Sequence, residues 1–146
     1  MNTITKMGIQ MAGEQAIGFF GNGFHCAEAV TTAALKAMGE DPLEAAAHAT
    51  AFGGGFGRTH QEACGALCGA LIAIGHLYGR RNLGDAWDLP ARLGAAIRQR
   101  FLDDFGTTHC ASLRNRFGEE RQMAECRKLT GRVTTALLAL LSEKNE

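Results

Sequence analysis

The chain has 146 residues, of which 46% are hydrophobic and 21% charged, a composition typical of one globular domain that excludes a disordered or fibrous chain. Fifteen basic residues balance fifteen acidic ones, so no excess positive charge points to nucleic acid or to an anionic membrane. Few β-branched residues, including only two valines, disfavour a sheet.

Apolar periodicity and helix-stop signals predict six helical segments. They cover residues 3–20, 25–38, 42–51, 60–78, 85–105 and 119–143. Asp41 is expected to cap the third segment, with Pro42 at its first position. Thr107 or Thr108 is expected to cap a short turn that holds Cys110. We therefore expect an all-α fold, a single-domain bundle of about six helices over residues 1–146.

The apolar stretches are too short to suggest membrane insertion. The first twenty residues lack the apolar run of a secretory signal, and the longest candidate, residues 63–78, falls short of the ~20 residues that cross a bilayer. We expect a soluble, cytoplasmic protein. In that compartment cysteines more often serve metal or redox chemistry than structural disulfides.

The five cysteines are the main candidates for functional chemistry in this sequence. Cys26, Cys64 and Cys110 are each expected in the first turn of a helix, where free N–H groups and the helix dipole stabilise a thiolate. Cys126 is early in the last helix, on a stripe continued by Leu129 and Val133 and by leucines further along. The alternative is that each cysteine is a small buried apolar residue.

Cys68 follows Cys64 by four positions. In a regular helix their Cβ atoms would be about 5–6 Å apart, whereas a disulfide needs roughly 3.5–4.5 Å. The spacing therefore disfavours a disulfide between them. No C-x₂-C zinc knuckle is present, so a conventional structural zinc site has little support.

Histidines and glycines accompany the cysteines. His25, His60 and His109 could lower thiol pKa values or donate hydrogen bonds, or they could be surface or capping residues. Gly65 and Gly69 sit inside a helix at a cost, so either another helix packs closely or a bulky group such as a cluster lies there. The glycine-rich residues 52–57 are expected to turn the third helix into the fourth rather than to hold phosphate.

Five stretches in this order carry a resemblance to a known family. They are GFHCAEAV (23–30), AFGGGFGRT (51–59), ACGALCGALIAIGHLYGR (63–80), FGTTHC (105–110) and AECRKLTG (124–131). Together they resemble the C_GCAxxG_C_C family of redox-active proteins over about residues 12–141. The CGAxxG run, residues 64–69, is the most specific piece, and a related domain occurs in split-Soret cytochromes.

The resemblance implies that four cysteines define the site. They map onto Cys26, Cys64, Cys110 and Cys126, while Cys68 fills a free position. The first hypothesis is an electron-transfer or redox-sensing protein with these four as ligands of an iron–sulfur cluster. Gly65 would give room for the inorganic sulfides. A C-x-x-C-H motif is missing, so covalent haem is not implied.

Two other hypotheses remain open. A metal-free thiol–disulfide or peroxide-handling enzyme would use Cys64 as nucleophile and Cys68 or another cysteine to resolve it, with Glu62, His60 or His76 moving protons. Its helix is similar in outline to helical peroxidase-associated reductases, although the spacing differs from C-x-x-C. A non-catalytic helical module would hold zinc or no ligand. The redox partner is unidentified, and the bundle could form a homodimer.

Overall fold

The computed structural model describes residues 4–143, and these fold into seven α-helices. The helices are α1 (Lys6–Phe19), α2 (Cys26–Ala37), α3 (Leu43–Ala49), α4 (Gly65–Tyr78), α5 (Asp88–Phe105), α6 (Cys110–Phe117) and α7 (Gln122–Glu143), with a short 3₁₀ helix at Thr50–Phe52 after α3. Over residues 4–143 no strand forms, so the all-α prediction is confirmed. The predicted start of the first helix at Thr3 lies outside the described residues.

Helix α2 runs through the centre of the bundle. It is buried on nearly every side, as expected for a helix surrounded by others, and it packs on α4 and α7. Gly69 of α4 lies directly against the backbone of Ala27, and the hydroxyl of Thr31 donates to the carbonyl oxygens of Ala27 (2.9 Å) and Gly69 (3.1 Å). Close packing of two helices therefore explains the glycine at position 69.

Helices α1 and α7 form the second close pair, with Gly13 and Gly131 facing each other across it. The apolar stripe predicted for the last helix faces the core, because Leu129, Val133 and Leu137 are buried. None of the helices in the described range is long and apolar enough to span a membrane.

The predicted and observed helices differ mainly around the cysteines. Helix α4 begins at Gly65 instead of residue 60, because the preceding residues form no helix and their backbone hydrogen-bonds to the segment at the start of α6. The segment at Cys110 is a full helix, α6, instead of a short turn. Its cap is His109 instead of Thr107 or Thr108, since the His109 Nδ1 accepts the Ser112 N–H.

The remaining helix ends differ by a few residues. Helix α5 begins at Asp88 instead of residue 85, and α7 at Gln122 instead of residue 119. The Asp41 carboxylate accepts the backbone N–H of Leu43 (3.0 Å), which is the capping contact predicted for it, although the helix begins after Pro42.

Candidate functional site

Four of the five cysteines line one cavity of about 560 Å³, which we call the cysteine cavity. Cys26 is the first residue of α2, Cys64 caps the N-terminus of α4, and Cys110 is the first residue of α6. Cys126 reaches the cavity from the second turn of α7. The prediction of three cysteines at helix starts is therefore confirmed. All five cysteines are free thiols.

Cys26 is packed directly against the first residue of α4. Its sulfur faces Gly65 so closely that a Cβ at position 65 would overlap it. A negative charge on Cys26 would raise the pKa of each of the other four thiols, so all of them are within electrostatic range. Position 65 needs a glycine because the Cys26 sulfur and the backbone of Phe52 and Gly53 leave no room for a Cβ atom. Position 69 needs a glycine because α4 packs closely on α2 there.

Two extended segments hold Cys64 and Cys110 next to each other. Ala63 and His109 form an antiparallel bridge. On either side of it, the Cys64 N–H donates to the Thr108 carbonyl (2.7 Å) and the Cys110 N–H to the Glu62 carbonyl (2.9 Å). These bonds link the starts of α4 and α6 and hold together Cys64 and Cys110, which are 46 residues apart in the chain. Local sequence patterns could not indicate this pairing.

His109 secures that link. Its Nδ1 accepts the backbone N–H of Ser112 (3.3 Å), so the ring proton is on Nε2. Nε2 then donates to the Gln61 carbonyl (3.0 Å), which joins the start of α6 to the segment before α4. His109 is therefore a capping and bridging residue, one of the alternatives left open by the sequence.

The glycine-rich loop forms the wall over Cys26 and Cys110. Six residues of this loop and the positions just after it have a left-handed backbone, namely Gly54, Gly55, Phe56, Gly57, Arg58 and His60, with φ between 60° and 69°. The three that are not glycine each carry strain of roughly 1–2 kcal/mol. Such strain persists where the surrounding structure fixes it, often at functional sites. The glycine-rich loop, which the sequence predicts only as a turn between two helices, is therefore a structured part of the cavity wall.

Close packing and hydrogen bonding connect the loop to the thiols. A Cβ at Gly55 would overlap the Cβ of Cys110 and the backbone of His60. The backbone N–H of Gly54 bonds to the Cys26 sulfur and lowers its pKa, opposing the effect of burial. At Cys64 the N–H groups of Ala66 and Leu67, in the first turn of α4, act in the same direction.

Burial nevertheless outweighs these bonds, and the pKa of every cysteine is raised. Desolvation is the largest cause in each case, and it raises the pKa of Cys68 to about 11. The expected lowering of thiol pKa values at the helix starts is therefore wrong for the metal-free protein. The helix dipole acts in the expected direction, but removing a thiolate from water costs more.

Cys68 stands apart from the other four. It is buried on α4 with 7% of its surface exposed, and it does not line the cysteine cavity. It lies one helical turn beyond Cys64 on α4. The division between four cavity cysteines and one outside it matches the division made by the sequence resemblance.

Of the residues expected to move protons, only His60 lines the cavity. Burial and the charge of Arg114 lower the pKa of its imidazole. His76 is at the far end of α4, about 18 Å along the helix from Cys64, and pairs with Glu40 (3.4 Å). The Glu62 side chain is exposed and outside the cavity; its carbonyl oxygen only accepts the Cys110 N–H.

Two arginines also line the cavity, and sequence reasoning missed both. Arg58 comes from the loop and Arg114 from α6, and the charge of Arg114 lowers the pKa of Cys110 and Cys126. The remaining wall is largely apolar, formed by Phe20, Leu113, Phe117, Met123 and Leu129. Neither arginine belongs to a motif, so no local signal marked them.

A site for a single metal ion does not form among residues 4–143, because no three His, Cys, Asp or Glu side chains are close enough to bind one. Zn–S bonds of about 2.3 Å in a tetrahedron would need thiolates about 3.8 Å apart. The four cavity cysteines are therefore not gathered around one point.

Comparison with known families supports the resemblance seen in the sequence. A family model described as "Putative redox-active protein (C_GCAxxG_C_C)" matches residues 24–140. The match includes all five cysteines and the glycine-rich loop. No curated protein and no solved structure matches the chain.

Proposed function

Because the chain belongs to the C_GCAxxG_C_C family, we propose that it is a small redox protein that holds an iron–sulfur cluster. The cluster ligands would be Cys26, Cys64, Cys110 and Cys126, the set of four thiolates that such clusters use. One observation carries the proposal: these four cysteines reach one cavity from four helices, and Cys68 stays outside it. The function would be electron transfer or redox sensing.

The spacing of the thiols favours a cluster over zinc. A single ion draws its ligands together around one point, and the described residues contain no such group. A cluster of several iron atoms and sulfides needs thiolates that surround a larger space, which the cavity provides. When bound, a cluster of this kind transfers single electrons.

The chain's own residues would then hold and tune the cluster. The N–H groups of Gly54, Ala66 and Leu67 point at the sulfurs of Cys26 and Cys64, and hydrogen bonds to thiolate ligands are one determinant of reduction potential. Apolar side chains would limit access of water. Gly65 would keep the Cys26 sulfur in place, because the two are in direct contact. The role expected from the sequence was different, namely to leave room for the inorganic sulfides of the cluster.

The metal-free thiol enzyme has less support. Its nucleophile and resolving residue, Cys64 and Cys68, are 8% and 7% exposed, and burial disfavours their reactive thiolate forms. Only His60 among its three candidate proton-transfer residues lines the cavity. A reducing, cytoplasmic location would keep all five thiols free and suits either function.

Serine variants of the four cavity cysteines test the ligand assignment, and Cys68→Ser, on the helix that Cys64 caps, is the control. Cys26→Ser, Cys64→Ser, Cys110→Ser and Cys126→Ser proteins, purified without oxygen, should each lose most bound iron. Cys68→Ser should keep the iron content of the wild type, because its side chain is buried outside the cavity. Equal iron loss in Cys68→Ser, or full iron retention in any cavity variant, would overturn the assignment.

A further inference from the structure

Two guanidinium groups in the cysteine cavity lack a partner. Among residues 4–143, the side chains of Arg58 and Arg114 form no ion pair and no hydrogen bond, although both line the cavity. Within the described part of the chain, no aspartate or glutamate lines the cavity with them. A guanidinium group presents several N–H donors in a fixed plane that suits a carboxylate, phosphate or sulfonate.

The two arginines reach the cavity from different segments, Arg58 from the end of the glycine-rich loop and Arg114 from α6. Arg114 lies one helical turn after Cys110, the first residue of that helix. Around Cys26 the wall is closely packed, because Gly65 lies against the Cys26 sulfur and the backbone of Phe52 and Gly53. Arg58 and Met123 line the cavity and are exposed, so the cavity opens to solvent beside them.

The cavity is larger than the cysteines alone require. Its volume of about 560 Å³ is typical of pockets for small organic ligands, which range over roughly 300–1,000 Å³. Leu113, Phe117, Met123 and Leu129 give it an apolar wall next to the arginines. An apolar wall with a few charged groups favours a ligand that has an apolar body and one charged end.

We propose that the open side of the cysteine cavity binds a small organic anion, with its charged group on Arg58 and Arg114 and its apolar body against α6 and the start of α7. The ligand would lie next to Cys110 and Cys126. This site goes beyond the proposed cluster and does not depend on it, because the arginines and the apolar wall are present in the chain itself.

A pair of fluorescent probes tests the site on the protein as purified, with its iron content measured alongside. 8-Anilinonaphthalene-1-sulfonate carries an apolar body and a sulfonate, and 1-anilinonaphthalene carries the same body without charge. We expect the sulfonate to bind at least about tenfold more tightly than the uncharged probe, the effect of one or two charge-assisted hydrogen bonds.

Arginine variants locate the binding. Arg114→Gln and Arg58→Gln should each weaken sulfonate binding by about tenfold and leave the uncharged probe unaffected. Arg98→Gln on the exposed face of α5 is the matched control and should bind as the wild type does. Circular dichroism and thermal unfolding should show that all three variants keep the fold.

The outcomes separate this proposal from the proposed function. Equal binding of the two probes, or unchanged sulfonate binding in Arg114→Gln and Arg58→Gln, would overturn the anion site even if iron is bound. Arginine-dependent sulfonate binding in a protein without iron would support the anion site and count against the cluster.

Discussion

The sulfur of Cys26 occupies the space that a side chain at position 65 would need. This contact joins the first residue of α2 to the first residue of α4. A glycine that the sequence marks as costly inside a helix is thus explained by a cysteine on a neighbouring helix.

The contact predicts opposite effects for two glycine substitutions in α4. Gly65→Ala should destabilise the protein by about 1–3 kcal/mol, because the new methyl group overlaps the Cys26 sulfur and crowds the loop backbone. Gly75→Ala is the control: its Cβ meets nothing nearby on the exposed face, so helix propensity should stabilise the protein by about 0.5–1 kcal/mol. Urea unfolding measures both, and a neutral Gly65→Ala would contradict the packing described.

His109 should matter to stability through two bonds. His109→Ala removes the cap of α6 and the bond to Gln61, so it should cost about 0.5–2 kcal/mol. His109→Asn can restore the cap but does not reach Gln61, and its stability should be intermediate. Chemical denaturation should rank the wild type, His109→Asn and His109→Ala in that order of free energy of unfolding. His48→Ala, on the exposed face of α3, is the control. An alanine variant as stable as the wild type would show that His109 does not secure the two segments.

Alkaline pH should weaken the metal-free protein through its buried thiols. The pKa of Cys68 is 9.0 in an unfolded chain and about 11 in the folded one. The buried, neutral Cys68 thiol makes its full contribution to the free energy of unfolding below pH 9.0. That contribution is lost as the pH rises toward 11, because the thiol in the unfolded state releases its proton first. Stability measured by urea unfolding should therefore fall across this interval.

A variant isolates the contribution of Cys68 to that fall. Cys68→Ala should lose stability less steeply with pH than the wild type, because one raised thiol is gone. Thr32→Ala is a buried substitution on α2 without a titratable group, and it should keep the wild-type slope. Identical slopes in all three proteins would mean that the Cys68 thiol is not protected in the folded state.

Local signals predicted six of the seven helices and the placement of most cysteines, and they missed the full length of α6. Apolar periodicity and capping residues act over a few positions, so Cys26, Cys64 and Cys110 could be placed at helix starts from sequence alone. The resemblance added that these three and Cys126 form one set. Their arrival at a shared cavity is a property of helix packing, which periodicity does not specify.

Long-range contacts account for what sequence reasoning got wrong. Residues 60–64 look helical locally but form no helix, because their backbone hydrogen-bonds to residues 108–111. The left-handed loop depends on contacts with His60 and Cys110, which no turn signal predicts. The raised thiol pKa values arise from burial by the whole bundle, and this overrides the local helix dipole.

The most direct test of the cluster is a visible absorbance spectrum with iron, zinc and acid-labile sulfide analysis of protein purified without oxygen. The account predicts absorbance between about 320 and 450 nm and iron and sulfide in similar amounts. A colourless protein that contains one zinc per chain, or no metal and titratable thiols that oxidise in pairs, would contradict it.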